Sequence, residues 1–417
     1  MSDVMAHAPM RAPAGTPVER AALERYADVI VELGSNVQPG QIVEIRCELE
    51  HVELARALAA SAYRRGARFV DVWYIDSDVR RARFEHADPD TLDFVPRFHR
   101  ERVLQLGEQH CARIALSPMA TPGRFDDLDP ALVARDRFPL IPEYMRVIND
   151  NTTNWTGAMC PTPAWAELVH PDVGPEEALA VLWQQVLHIC RLDEPDPVVA
   201  WGARLDALTE AETRLNERRF DALQFEGPGT DLTIGLLPSS TWHSGISYTV
   251  DGIAHLANIP TEETFTAPDP QRVDGVVRST KPLQIKSGTL VRGLRVRFEG
   301  GRAVEIDADS GAEALRTLCA SDEGASRLGE VALVDGQGRV GALDTVFYST
   351  LLDENAASHI ALGSAYSETV GDEDRDRAND SSIHVDFMIG GEDVAVTGLT
   401  SGGERVPVLV DGDWQIY

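Results

Sequence analysis

Residues 384 to 386 read His-Val-Asp, inside the run SSIHVDFMIGG. This apolar run, closed by Gly390-Gly391, predicts a strand. Side chains two apart on a strand share a face. His384 and Asp386 therefore point one way, and Val385 and Phe387 the other. An imidazole and a carboxylate on an otherwise apolar strand cost free energy unless something binds them. A divalent metal ion would do so; a hydrogen-bonded His–Asp pair is the other reading. For His359 the choice is between a metal ion and a helix packed tightly on a sheet. It lies in DENAASHIALGSAY, a run of small residues with helical character. Tyr366 follows by seven residues, two helical turns, so the spacing predicts that the two share a face. The acidic residues number 67, and two contexts stand out among them. Glu262-Glu263 sits in an apolar loop bounded by Pro260 and Pro268, and Glu330 directly precedes the apolar run VALV. A surface salt bridge is the competing reading for each. The other histidines have no acidic or cysteine partner at ligand spacing and read as surface or core residues.

Elements that would position these side chains follow from periodicity. Helical spacing runs from Glu19 to Leu33, and Gly34 lies where such a helix would end. Gln41 to Cys47 alternates as a strand after the Pro39-Gly40 turn. Glu50 to Arg65 reads as helix, Ala67 to Ile75 as strand, Asp90 to Gln109 as helix and Cys111 to Leu116 as strand. Repeats at this pitch predict an α/β domain with a largely parallel sheet covered by helices. Two longer helices follow, Pro175 to Leu192 and Asp196 to Arg219. Beyond Phe220 the texture changes to short strands broken by Gly, Pro and Ser, including 232–236, 291–298, 303–307 and 331–334. This half reads as a mostly antiparallel α+β domain carrying the candidate metal residues. The domains are thus expected at 18–219 and 220–417, behind a disordered Ala- and Pro-rich leader at 1–17.

Composition narrows the function classes. At roughly 150 residues per domain, 417 residues make two or three domains. The net charge is 38 − 67 = −29. So acidic a chain is a poor partner for nucleic acid or an anionic membrane, and suits a cationic ligand or a metal ion. No apolar run reaches the length of a membrane-spanning helix. The five cysteines are scattered, odd in number and never in a CxxC pair. That pattern fits a reducing cytoplasm with buried thiols, and neither a zinc ribbon nor a disulfide framework.

The segments PTEETFTAP, RLGEVALV, DENAASHIALGSAY and HVDFMIG, in this order, resemble the M29 family of metallo-aminopeptidases, the thermophilic aminopeptidase T-like group. Upstream, RRGARFVDVWY, CRLDEPDPV and GPGTDLTIGLLP are similar too, so the resemblance runs from about residue 20 to the end. It implies a centre of two divalent metal ions (Zn, Co, Mn or Mg) held by Glu263, Glu330, His359, His384 and Asp386, with Tyr366 as a non-ligand active-site side chain. It also implies a homodimer that acts on short peptides with a free amino terminus. Two departures stand out. Thr264 replaces the usual Val, and the stretch between Tyr366 and His384 is short and very acidic (GDEDRDRAND).

The residues agree with that ligand set. Carboxylates and imidazoles without a thiolate suit these metals rather than soft ones. Paired ions activate water and need a bridging carboxylate. Glu330 is the expected proton shuttle, with Glu262 as the weaker alternative, and the Tyr366 hydroxyl is placed to bond a developing oxyanion. Two other readings exist on such a scaffold. His359, His384 and Asp386 alone would satisfy a mononuclear Fe(II) ring-cleaving dioxygenase, which has no use for Glu263 and Glu330. An inactive scaffold protein would be expected to lack a ligand, and none is missing.

Overall fold

A computed structural model describes residues 18–116, 122, 124–125, 127–136, 138–139, 141–285 and 289–417. The expected leader, with His7, lies outside the described residues. The first half is the α/β unit that the periodicity predicts. Strands Ile42–Glu48, Phe69–Ile75, Ala112–Leu116 and Trp155–Ala158 are parallel neighbours, with Ile42–Glu48 paired on both sides. Helix Val52–Arg64 connects the first two, burying Leu54, Ala55, Leu58 and Ala62 against the sheet. Burial of each leucine contributes about 1.5–3 kcal/mol. The expected 90–109 helix is shorter: a 3-10 turn at Pro89–Thr91, then a helix over Arg97–Glu108. Pro96 explains the break, because a proline disfavours helical geometry in the residue before it. A further helix, Ser77–His86, starts on the Asp76 side chain, which accepts the N–H groups of Asp78 and Val79.

Helix Pro197–Arg218 connects the halves. Asp196 caps its start through the N–H groups of Val198 and Val199, Pro197 takes the first position where no N–H is needed, and Arg219 closes it in a left-handed conformation. The sheets that follow are antiparallel. One has eight strands in the spatial order Arg302–Asp307, Arg295–Glu299, Pro268–Arg278, Thr230–Leu236, Ala222–Gly227, Ala395–Leu399, Arg405–Val410 and Asp413–Trp414. The other has five, in the order His384–Met388, His359–Gly363, Leu328–Val334, Glu263–Thr266 and His243–Ser244. The apolar faces of these two sheets share one core, which includes Phe225, Ile234, Val331, Leu333, Ile360, Leu362 and Phe387.

Two short pieces of the second half belong with the first. Strand Asn258–Ile259 runs parallel to Trp155–Ala158 at the edge of the parallel sheet. Val340, Phe347 and Leu352 pack into the same core as Ile45 and Trp165. The Trp165 indole also donates to the Phe347 carbonyl at 2.7 Å. Short apolar segments inside a loop-rich stretch carry no signal for which sheet they join, so their tertiary pairing decides it.

Candidate metal centre

His359 lies on strand His359–Gly363, which corrects the helical expectation for this segment. Ala356, Ala357 and Ala361 suit a helix in isolation, but both neighbouring strands pair with this one and every residue in it is buried. Tyr366 follows the strand and opens a 3-10 turn, so it does not share a helical face with His359. It reaches the same place by another route. Its ring packs 5.2 Å from the His384 ring and 5.9 Å from that of Phe265. His384 and Asp386 share a strand, as their spacing predicts.

Cross-strand register assembles the centre. Residues directly opposite in an antiparallel pair lie on the same face. Glu330 is opposite Ala361, and Ala361 is opposite Asp386. Ala332 is opposite His359 on one side and Phe265 on the other, and Gly363 is opposite His384. Glu263, two residues before Phe265, is on that face as well. Four strands therefore place Glu263, Glu330, His359, His384 and Asp386 on one side, and the alternate residues form the apolar core. Between the functional side chains the face carries Ala332, Ala361 and Gly363, which leave room above the sheet. Gly363 has φ +109°, and a Cβ there would lie 2.1 Å from the Ile383 carbonyl oxygen. Only glycine fits this conformation and this approach.

His359 Nε2 is 3.1 Å from Glu263 Oε2 and 3.5 Å from Glu330 Oε1. His384 Nε2 is 3.5 Å from Glu330 Oε2 and 3.1 Å from Asp386 Oδ1. Two groups of donors result, Glu263–Glu330–His359 and Glu330–His384–Asp386. They share Glu330, which turns one oxygen toward each imidazole. His359 Nδ1 faces the Ala357 carbonyl at 3.2 Å, and His384 Nδ1 faces the Ser364 carbonyl at 2.8 Å. A carbonyl only accepts, so each Nδ1 carries a proton and each Nε2 is the nitrogen turned to the cluster. This backbone partner is the usual way a metal-binding histidine is oriented.

Whether these residues fit a metal can be tested on their own atoms. Glu263 Oε2 and Glu330 Oε2 are buried and receive no hydrogen bond. With neutral imidazoles the close approaches are lone pair against lone pair. A cation, or a proton on each imidazole, satisfies both sides. The electrostatics point the same way. Burial holds Glu330 above the usual carboxylate range. Burial, reinforced by Glu263 and Asp386, holds Glu354 well above it. Burial opposes charge on His384, but Asp386 and Glu330 overcome it and push the imidazole up to about 10. His359 is likewise raised well above its ordinary value, burial being outweighed by Glu263 and Glu330. Burial also raises Asp386, yet the two imidazoles hold it below its ordinary value. Burial and the surrounding carboxylates raise the Tyr366 phenol well above its usual range, although the residue as a whole is 44% exposed. The site demands positive charge, and three carboxylates with two imidazoles, divided into two donor groups that share Glu330, suit divalent ions. The residues fit a dinuclear divalent centre.

Glu354 is a further acidic residue beside the centre that carries no signal in the sequence. The residue opens a 3-10 turn after helix Thr350–Asp353. Its carboxyl interacts with Glu263, Glu330, His359 and Asp386. One of 67 acidic residues with no local pattern gives no signal; only the chain turn that returns it to the sheet does. Glu262, the weaker proton-shuttle expectation, points elsewhere. It is fully buried, and its two carboxylate oxygens are bound by Arg191 and Arg204. His243 is opposite Phe265 and so stands on the same sheet face, its Nε2 3.1 Å from the Thr241 hydroxyl, and His255 bonds the backbone of Trp155. The acidic 371–380 stretch is tied down. Asp374 accepts the Ser239 N–H at 3.1 Å, Arg377 bridges Asp269 and Asp374, and Asn379 donates to the Gly363 carbonyl at 2.6 Å.

The family model described as thermophilic metalloprotease (M29) matches residues 19–414. Aminopeptidase T of Thermus aquaticus is 42% identical over 403 residues, covering 94% of this chain and 98% of that protein. Aminopeptidase 2 of Geobacillus stearothermophilus is 36% identical, over 94% of this chain and 97% of its own length. A solved structure, wild-type AmpT from Thermus thermophilus, matches with a TM-score of 0.89 and 40% identity, over 95% of this chain and 99% of that one.

Because Glu330 belongs to both donor groups, Glu330→Gln is expected to weaken both ions, whereas His384→Ala should reduce the content from two ions per chain to about one; elemental analysis after dialysis distinguishes these results. The raised imidazoles set the pH dependence. In the metal-free protein His384 stays protonated at pH 8, and an ion that takes its Nε2 must displace that proton. Zinc titration at pH 8, in buffers of different ionisation enthalpy, should show net proton release on binding. Apparent affinity should rise with pH through about pH 10, where His384 loses its proton.

Proposed function

The chain belongs to the thermophilic metalloprotease (M29) family and is a metal-dependent aminopeptidase, and from that premise we propose how its side chains divide the work. The observation that carries the reading is the shared Glu330, facing His359 with one oxygen and His384 with the other. In this reading Glu263, Glu330, His359, His384 and Asp386 would hold two divalent ions. When bound, such ions polarise a carbonyl and provide a water that is acidic near neutral pH.

The chain's own groups do the rest. To Glu330, whose oxygens face both imidazoles, we assign the transfer of the proton from the attacking water to the leaving amine. The Tyr366 hydroxyl keeps its proton across the physiological range, since its pKa is raised. It can therefore donate a hydrogen bond to the oxyanion that develops on the scissile carbonyl. Its ring is held by His384 and Phe265, so the hydroxyl pays little ordering entropy during the reaction. The carboxylates around the centre suit the cationic α-amino group of a peptide. The mononuclear iron reading leaves Glu263 and Glu330 unused, yet both stand inside the cluster.

Short peptides are the substrates we propose, with a homodimer in the cytoplasm as the working form. All five cysteines are buried free thiols, which suits a reducing compartment. Among the described residues no helix is long and apolar enough to cross a membrane. Phe94, Phe98 and Met145 are each more than half exposed. They stand on or beside two helices, Arg97–Glu108 and Pro142–Asn149, that pack together. Such an apolar patch supports association.

Tyr366→Phe is expected to lower kcat on an aminoacyl anilide by about 10²–10³-fold, the scale of a lost oxyanion donor, with two ions per chain retained. Loss of metal along with the hydroxyl would make Tyr366 a ligand or a support instead. Sedimentation equilibrium should give twice the chain mass, and Phe98→Glu should shift it toward the monomer; a monomeric wild type would end the dimer proposal.

A further inference from the structure

Glu262 and Glu263 are adjacent, and their side chains leave the strand on opposite sides. Glu263 joins the metal face. Glu262 is fully buried behind it and held at four points. Its Oε1 accepts from Arg191 at 2.9 Å, and its Oε2 accepts from the Arg204 Nε. Its carbonyl accepts from Arg204 Nη2 at 3.2 Å, and its N–H donates to Asn355 Oδ1 at 2.6 Å. Arg204 has a second task. Its Nη1 and Nη2 each bond an Asp335 carboxylate oxygen at 2.9 Å. The Trp414 indole closes the other side of Asp335 at 2.8 Å.

The segments gathered here are those that carry the donors. Glu262 precedes Glu263. Asp335 follows directly on strand Leu328–Val334, which carries Glu330. Asn355 follows Glu354 and stands four residues before His359. One guanidinium, on the helix that connects the two halves of the chain, thus ties two of these backbones directly. The third is tied through the Glu262 N–H. Arg is suited to this by its planar fork of five donors; Lys offers one point charge.

We propose that Arg204, acting through Glu262, is a positioning residue for one half of the metal centre. It fixes where Glu263 stands relative to His359 and Glu330, and so sets the affinity of the ion on that side. The ion on the His384–Asp386 side is held by strand His384–Met388, which none of the Arg204 contacts reaches. The proposal rests on the assignment of Glu263 and the two imidazoles as ligands.

The test is zinc binding, measured by competition with a chromogenic chelator. It uses two backgrounds that each keep one side of the centre: His384→Ala keeps the Glu263–His359 side, and His359→Ala keeps the His384–Asp386 side. In the His384→Ala background, adding Arg204→Lys is expected to weaken the remaining ion about 10–100-fold, the scale of losing a group that orients a ligand. In the His359→Ala background the same change should move the affinity less than threefold. Glu262→Gln, which keeps the side-chain shape, should give the same selective pattern and carries the test if Arg204→Lys does not fold. In the otherwise unaltered enzyme Arg204→Lys should lower kcat more than it changes KM. Equal weakening of both sides, or none on the Glu263 side, overturns the proposal. If the two background variants still bind two ions each, the ligand assignment has failed instead.

Discussion

The rest of the molecule answers to the crowding of carboxylates on one buried sheet face. Glu263, Glu330, Glu354 and Asp386 interact with one another where solvent is scarce. Two like charges 4 Å apart repel by about 4 kcal/mol at the effective dielectric of a protein surface, and by more as burial deepens. Such a face persists only where the fold forces it together and a cation compensates it. The fold supplies the force through antiparallel register, since the alternate residues of the same strands form the core shared with the eight-stranded sheet. Turning any of these strands over would place carboxylates in the core and leucines at the site. Stability and chemistry are thus coupled by the two-residue period of the strand.

The imidazoles illustrate how little is left free. Each donates Nδ1–H to a backbone carbonyl, that of Ala357 two residues before His359 or that of Ser364 on the chain beside His384. That fixes the tautomer and turns Nε2 to the carboxylates. Glycine at 363 lets the chain pass close to Ile383, which brings the Ser364 carbonyl to His384. Asn379, from the acidic stretch, holds the Gly363 carbonyl from outside. This acidic stretch therefore falls beside the support of His384, and its many charges are partly consumed in pairs such as Arg377 with Asp269 and Asp374.

What the sequence made legible follows the range of the physics involved. His384 and Asp386 could be read as a pair because strand alternation is local. The parallel sheet could be read because each strand and helix carries its own period. Helix Pro197–Arg218 could be read nearly to its ends, because Asp196 and Pro197 mark its start in the chain itself. The strand at His359 was not legible as one. Ala, Gly and Ser around it favour close packing of any kind, and its neighbours, distant in sequence, made it a strand. Glu354 was silent for the same reason, since a turn of four or five residues decides where it points. Glu262 looked like a catalytic carboxylate because sequence gives two adjacent acids equal standing.

The contrast between those two acids shows how the halves of the chain depend on each other. Glu262 and Glu263 are both carboxylates in a poorly solvated setting, and a carboxylate there must find positive charge. Glu262 finds it in protein, in Arg191 and Arg204, both supplied by the helical part that precedes the antiparallel sheets. Among the described residues Glu263 pairs with His359 alone, a partner that an ion can replace. The amino-terminal half therefore does more than cover the centre. It neutralises the carboxylates that must not bind metal, and so leaves the neighbouring ones available. The shared core of Ile45, Trp165, Ile259, Phe347 and Leu352 serves the same end, because it seats the chain that leads into Glu354 against the parallel sheet. A change far from the metal face, in the helix or in that core, would thus be felt as a change in which carboxylate is free.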